Sequence, residues 1–197
     1  MTCAKFETAI GYHCSPVLMG MKPANLVSFS KEKLPELPEL VSSYKEGLEQ
    51  EGIHMNIICG CRKHYLLLLY RPDMLEGFLA QDEAKELLIQ DGYPENGMLE
   101  EMLDHLKERF AERREFPHEI GLFLGYPIED VKGFRQYKGN DCKLCGYWKV
   151  YGDADRAREI FAGYDRCREF ISAQIQQGYS ILQVVGMRHQ CAFQSAH

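Results

Sequence analysis

Apolar residues along this chain recur at two periods, one of three to four residues and one of two, and the change between them divides it into helices and strands. The stripe Leu37, Leu40, Val41, Tyr44 and Leu48 predicts a helix, introduced by Pro35 and Pro38 and stopped by Gly52. Upstream, Ser15 reads as an N-cap with Pro16 at the first helical position, so "PVLMGMK" predicts a short helix and "NLVSF" a short strand. "IHMNIICGCRKHYLLLLY" holds two strand-like runs around a glycine-containing turn and predicts a β-hairpin with both arms substantially buried. Together with "NLVSF" and the intervening helix it suggests a right-handed crossover.

The second half reads as mostly helical. "MLEGFLAQDEAKELLIQDGY" predicts one or two short helices, and "MLEEMLDHLKERFAERR" a longer one with Leu99, Met102, Leu103, Leu106 and Phe110 on one face. "FPHEIGLFLGYPIEDVKGF" predicts two short helices separated by Pro127, with Gly121 and Gly125 permitting close backbone approach. "YWKVY" has the content of a strand. Asp153 caps a long helix reaching about Gln177, ended by Gly178, with Ala157, Ile160, Tyr164, Cys167, Ile171 and Ile175 as its core stripe. "YSILQVV" suggests a last strand, and the polar tail 187–197 is expected to fray. The sum is a single α+β domain, helix-rich around a small mixed sheet, over residues 1–197.

Composition narrows the function classes. At 45% apolar and 26% charged residues the chain is an ordinary folded protein. Its longest apolar-aromatic run, Tyr65 to Tyr70, is far shorter than a membrane-spanning helix, so no membrane role is expected. "MTCAKFETAI" lacks the apolar region of a secretion signal, which places the protein in the cytosol. Lysine plus arginine total 23 against 29 acidic residues, a formal charge of −6, so nucleic acid is not the expected partner. Eight cysteines in such a chain point to reduced thiols.

Three local cysteine features invite chemistry: His13-Cys14 before a helix, Cys59-Gly60-Cys61 at the hairpin, and Cys142 with Cys145 before the aromatic strand. The two pairs lack the double CxxC of a strong zinc motif. Cys14 has the better case for reactivity. A helix amino terminus favours a thiolate, and His13 or Lys22 adds positive charge nearby; packing as a small buried hydrophobe is the alternative. His118-Glu119 opens another helix as an acid/base or ligand-orienting pair, or simply as first-turn capping. Tyr147, Trp148 and Tyr151 read as core before they read as a stacking platform. Glycine-rich nucleotide loops, HExxH and GxSxG are all missing from the sequence.

The stretches "HCSPVLMGMKPANLVSF", "FPHEIGLFLGYPIEDVKGF" and "KLCGYWKVYGD" together resemble the signature blocks of an uncharacterised family of small cytosolic proteins from anaerobic Firmicutes, domain of unknown function 3793. The similarity spans roughly residues 5 to 185. The family brings no established activity. It gives weight to His13, Cys14, Lys22, His118, Glu119, Cys145, Tyr147 and Trp148, which fall inside the blocks, while Cys59, Cys61 and Cys142 fall outside them. Neighbouring flavodoxin and ferrous-iron transport genes among relatives imply iron or redox physiology. The expectation is a thiol- or metal-linked accessory protein of anaerobic iron or redox metabolism, working with a redox or iron-metabolism partner. Its metal ligands would be Cys14, Cys145 and His13, the metal iron or zinc, and Lys22, Tyr147 and Trp148 would hold a cofactor. The alternatives are a non-catalytic binding or adaptor module, and an enzyme with Cys14 as nucleophile supported by His118 and Glu119.

Overall fold

The computed structural model describes residues 2–60, 63–112 and 116–189, which form an α+β fold in two compact units. The first unit takes residues up to Arg71 together with those from Tyr164 on, and the second takes Pro72–Gly163.

The first unit contains α1 (Thr2–His13), α2 (Ser15–Leu18), β1 (Ala24–Ser30), α3 (Leu37–Glu49), β2 (His54–Gly60) and β3 (His64–Tyr70). Its strands form one sheet in the order β1-β3-β2, and both ladders are antiparallel. The hairpin read from the sequence is therefore present, but the helical crossover from β1 to β2 does not bring those strands side by side. They run parallel with β3 inserted between them. Register places Val27 and Ile57 on either side of Leu67, and Asn25 and Met55 on either side of Leu69. Because side chains alternate across a strand, this set shares one face, where Val27, Leu67 and Leu69 are buried in the unit's core. Phe6 and Ile10 of α1 and Leu37 and Leu48 of α3 join the same core.

Arg71 ends β3 and is buried. Its Nε donates to Val17 O at 2.7 Å, Nη2 to Leu18 O at 3.0 Å and Nη1 to Glu51 O at 3.0 Å. Gly52, the expected stop after α3, takes φ +68°, a left-handed conformation that suits glycine.

The second unit contains α4 (Pro72–Leu79), α5 (Asp82–Gln90), α6 (Leu99–Ala111), α7 (Ile120–Phe123), α8 (Ile128–Tyr137) and a two-stranded hairpin of β4 (Leu144–Cys145) and β5 (Lys149–Val150). The stripe predicted for α6 is buried at all five positions. The glycine reading also holds at Gly121, where an added Cβ would lie 3.0 Å from Val131 of α8. Asp130, 3% exposed, organises the hairpin. Oδ2 accepts from Trp148 Nε1 at 2.7 Å, and Oδ1 accepts from the backbone N–H groups of Tyr151 and Gly152 at 2.6 and 2.8 Å.

α9 (Ala154–Gln176) begins in the second unit and ends in the first. Asp153 caps it as predicted, accepting from the N–H groups of Asp155 and Arg156, both at 3.0 Å. One element was not anticipated and one sequence expectation requires correction. Residues 2–13 carry a helix that the periodicity did not suggest, and 181–186 form α10 (Ile181–Gly186) where a strand was expected. Ser180 and Gln183 make a capping box there, and Ile181, Val184 and Val185 are buried at helical spacing. A short 3₁₀ turn follows at Met187–His189; the rest of the tail expected to fray, and Cys61, lie outside the described residues.

Replacing Asp130 with alanine would take the acceptor from one buried donor, Trp148 Nε1, and two half-buried backbone N–H groups, and a loss of about 2 kcal/mol or more is expected. Asp130→Asn keeps one carbonyl oxygen and should lose less. Denaturant unfolding followed by emission of Trp148, the single tryptophan, checks both. An alanine variant as stable as the parent would contradict this role.

Candidate functional site

The second unit carries a cavity of about 510 Å³ whose lining includes Asp91, Arg109, Glu112, His118, Glu119 and Arg135. They come from four settings: Asp91 follows α5, Arg109 lies in the last turn of α6 with Glu112 just after it, His118 and Glu119 precede α7, and Arg135 is on the last turn of α8. Glu119 is only 2% exposed. Its Oε1 accepts from Arg109 Nε at 2.9 Å and from the Tyr93 hydroxyl at 3.4 Å. Arg135 Nη2 bonds Asp91, and Arg109 Nη1 lies 3.8 Å from Glu112.

The charges act on one another. The hydrogen bond from Arg109 to Glu119 raises the guanidinium's pKa, and burial with the nearby Glu119 charge raises that of the Tyr93 phenol. Burial also raises the Asp91 carboxyl, against the pull of Arg135. Arg135 Nε is buried without a hydrogen-bond partner among the described residues. A guanidinium has five N–H donors in a fixed fork, so a single carboxylate at one edge leaves donors for a ligand.

His118 is exposed, with its ring 5.3 Å from that of Phe134, whereas the neighbouring Glu119 points inward. The pair thus shares a cavity, with the carboxylate committed to Arg109 and Tyr93. Trp148 is buried between Tyr126, stacked at 5.1 Å, and Phe161, edge-on at 4.6 Å. Tyr147 is half-buried against Phe161 at 5.5 Å. These rings serve the packing of the second unit, as the core reading of the sequence has it.

Cys14 and Lys22 lie in the first unit, both almost wholly buried. Burial pushes the Cys14 thiol up to about 12, against the downward pull of Lys22, and draws the Lys22 amine down to about 7, against the upward pull of Cys14. The sequence placed a positive charge beside Cys14, and Lys22 supplies it, yet desolvation outweighs it. Lys22 Nζ also lies 6.0 Å from the centre of the Tyr164 ring. His13 turns the other way, exposed and edge-on to Tyr12 at 5.0 Å, with its pKa lowered first by burial and then by Arg168.

Cys145 is exposed in the second unit, and Cys142 beside it is half-buried. Among the described residues no three His, Cys, Asp or Glu side chains are grouped as a metal ion would require. Cys167 is buried on its helix stripe, as the sequence suggests, with its thiol pushed up to about 11 by burial.

A family model described as a protein of unknown function, DUF3793, matches residues 10–185. The chain belongs to that family. No curated protein matches it, and no solved structure does. The DUF3793 match takes in every residue singled out above, including Asp91, Arg109 and Arg135, which sequence reasoning did not select. Nothing in their local sequence set them apart; the cavity comes from tertiary packing that brings four segments together.

Lys22 generates a pH signature. Its folded value lies below the ordinary 10.5, so between about 7 and 10.5 the unfolded chain holds the extra proton, and stability rises with pH through that window. Cys14 acts oppositely only above its ordinary 9.0. Comparing the parent with Lys22→Met in urea, the parent should gain at least about 1 kcal/mol relative to the variant between pH 6.5 and 9. A difference that stays constant across those pH values would show that the amine is not neutralised by the fold.

Proposed function

We propose that this protein is a binding module that takes a small zwitterionic ligand, such as an amino acid, in the charged cavity of its second unit. The observation that carries this reading is that two guanidinium–carboxylate pairs, Arg109–Glu119 and Arg135–Asp91, line a single cavity. Guanidinium donors not used by the internal carboxylates suit a ligand anion, and the Glu112 carboxylate, 55% exposed at the wall, suits a ligand cation. Neither sign dominates the lining, so a ligand carrying both complements it better than a simple anion. His118 stands at the same wall as a further polar contact.

The test is a thermal-shift and calorimetric screen with free amino acids, their N-acetyl derivatives and their methyl esters. Binding by a free amino acid is expected, weakened about tenfold by either blocking group and by Glu112→Gln. Absence of any ligand-dependent rise in Tm across zwitterions, anions and cations would sink this reading.

A thiol- or metal-linked accessory role in cytosolic iron or redox metabolism is a second reading. It draws on Cys142 and Cys145, which lie near Tyr151, a phenol whose pKa is raised first by burial and whose hydroxyl has no hydrogen-bond partner among the described residues. The burial of Cys14 counts against the variant of this idea in which that thiol is the ligand or nucleophile. No described helix is long and apolar enough to cross a membrane. Elemental analysis of protein purified without oxygen should find about one equivalent of iron or zinc that Cys145→Ala removes. A metal-free protein whose Cys145 reacts no faster than a free thiol would refute it.

A further inference from the structure

We propose that a second groove, on the face formed by α4, α5 and the start of α6, is a docking surface for a basic amphipathic helix of a partner protein. The groove measures about 470 Å³ and lies within the second unit. Its floor is apolar, made by Leu79, Leu88, Leu99 and Met102. Two large apolar side chains of its wall face solvent: Met98 is 67% exposed and Ile89 is 44% exposed. Exposed apolar surface gathered around a groove marks an interaction site more than scattered single residues do. Methionines suit such a site because their unbranched, polarisable side chains adapt to the incoming surface.

The wall is preformed. An added Cβ on Gly97 would sit 2.5 Å from Pro94 and 3.3 Å from Met102 Sδ, so the turn is built directly against the floor. The Met98 N–H donates to Glu101 Oε2 at 2.8 Å, which fixes where the turn meets α6.

The rim decides the occupant. Glu76, Glu95 and Glu100 are exposed there, opposed by Lys85 alone. An apolar floor under an acidic rim complements a helix that presents a leucine-type stripe flanked by lysine or arginine. The net charge of −6 also favours approach of such a segment. This surface is independent of the charged cavity, and no residue lines both.

The test uses two synthetic helical peptides of the same leucine stripe, one with lysine and one with glutamate on the polar face, and reads fluorescence anisotropy on the full chain. The Leu/Lys peptide should bind, more weakly at high salt. Its affinity should fall at least about fivefold in Met98→Asp and in the double variant Glu95→Lys with Glu100→Lys. A control with the same change of charge on exposed positions of the first unit, Glu39→Lys with Glu169→Lys, should stay within about twofold of the parent. All these positions are exposed, and circular dichroism verifies that the variants fold. Equal binding to groove and control variants would mean generic attraction and overturn the proposal. Equal binding of the Leu/Glu peptide, or no binding at all, would do the same. A dimer in sedimentation that Met98→Asp dissolves would assign the groove to a second copy of the chain and overturn the partner helix.

Discussion

The first unit depends on a buried guanidinium held by carbonyl oxygens, with no carboxylate hydrogen-bonded to it among the described residues. Arg71 uses Nε, Nη1 and Nη2 on Val17, Leu18 and Glu51, so the end of β3 is tied to the end of α2 and to the turn after α3 at the same point. Carbonyls at helix ends carry partial negative charge, which lets them receive a cation that burial would otherwise penalise heavily. Burial, with Arg188 nearby, lowers Arg71 to about 10, still a cation at neutral pH. The turns at Gly20 and Gly52 wrap it: a Cβ at either would stand 3.8 Å or 3.7 Å from the guanidinium nitrogens. With both turns in left-handed conformations, any other residue would strain the chain where the clamp needs it closed.

That clamp explains why Cys14 faces inward. The last carbonyls of α2 point at Arg71, which sets the rotation of the segment that carries Cys14, Ser15 and Pro16. Cys14 then falls on the core side with Val17 and Leu18, and His13, one residue earlier at the end of α1, falls on the solvent side. Sequence neighbours are separated by the fold, and His13, its pKa lowered by burial and by Arg168, faces solvent and not Cys14.

Much of the fold was legible because its signals are local. Proline and aspartate at helix starts, glycine at helix ends and the stripe on α6 need only near neighbours to act, and they correspond to observed elements. α10 was misread because Ile181, Val184 and Val185 look β-prone one by one, although Ser180 and Gln183 spell a capping box that outweighs that preference. α1 was missed because its buried residues, Phe6 and Ile10, stand among polar ones, so a single pair four residues apart carries the whole signal. The cavity was legible only at His118 and Glu119. Asp91 and Arg135 gain meaning from a contact 44 residues apart and Arg109 from one 10 residues apart, and a charged residue on an amphipathic helix looks the same whether it faces water or a neighbouring carboxylate.

Interior polarity is handled in two ways, and the difference bears on where chemistry can occur; hydrogen bonds that retain a buried charge serve Arg71 in the first unit as well as the carboxylates of the second. In the second unit, buried charges are retained by hydrogen bonds: Asp130 takes three donors and Glu119 takes an arginine and a tyrosine, so these carboxylates are positioned and rigid. In the first unit, Cys14 and Lys22 are shifted toward their neutral forms. Transferring the proton from thiol to amine would create an ion pair, but in a core with almost no solvent exposure the desolvation of both ions outweighs their attraction. The dipole of α2 offers little help, since four residues align few peptide units. A thiol at a helix start is therefore activated only where the helix is long and its end is wet, and Cys14 meets neither condition.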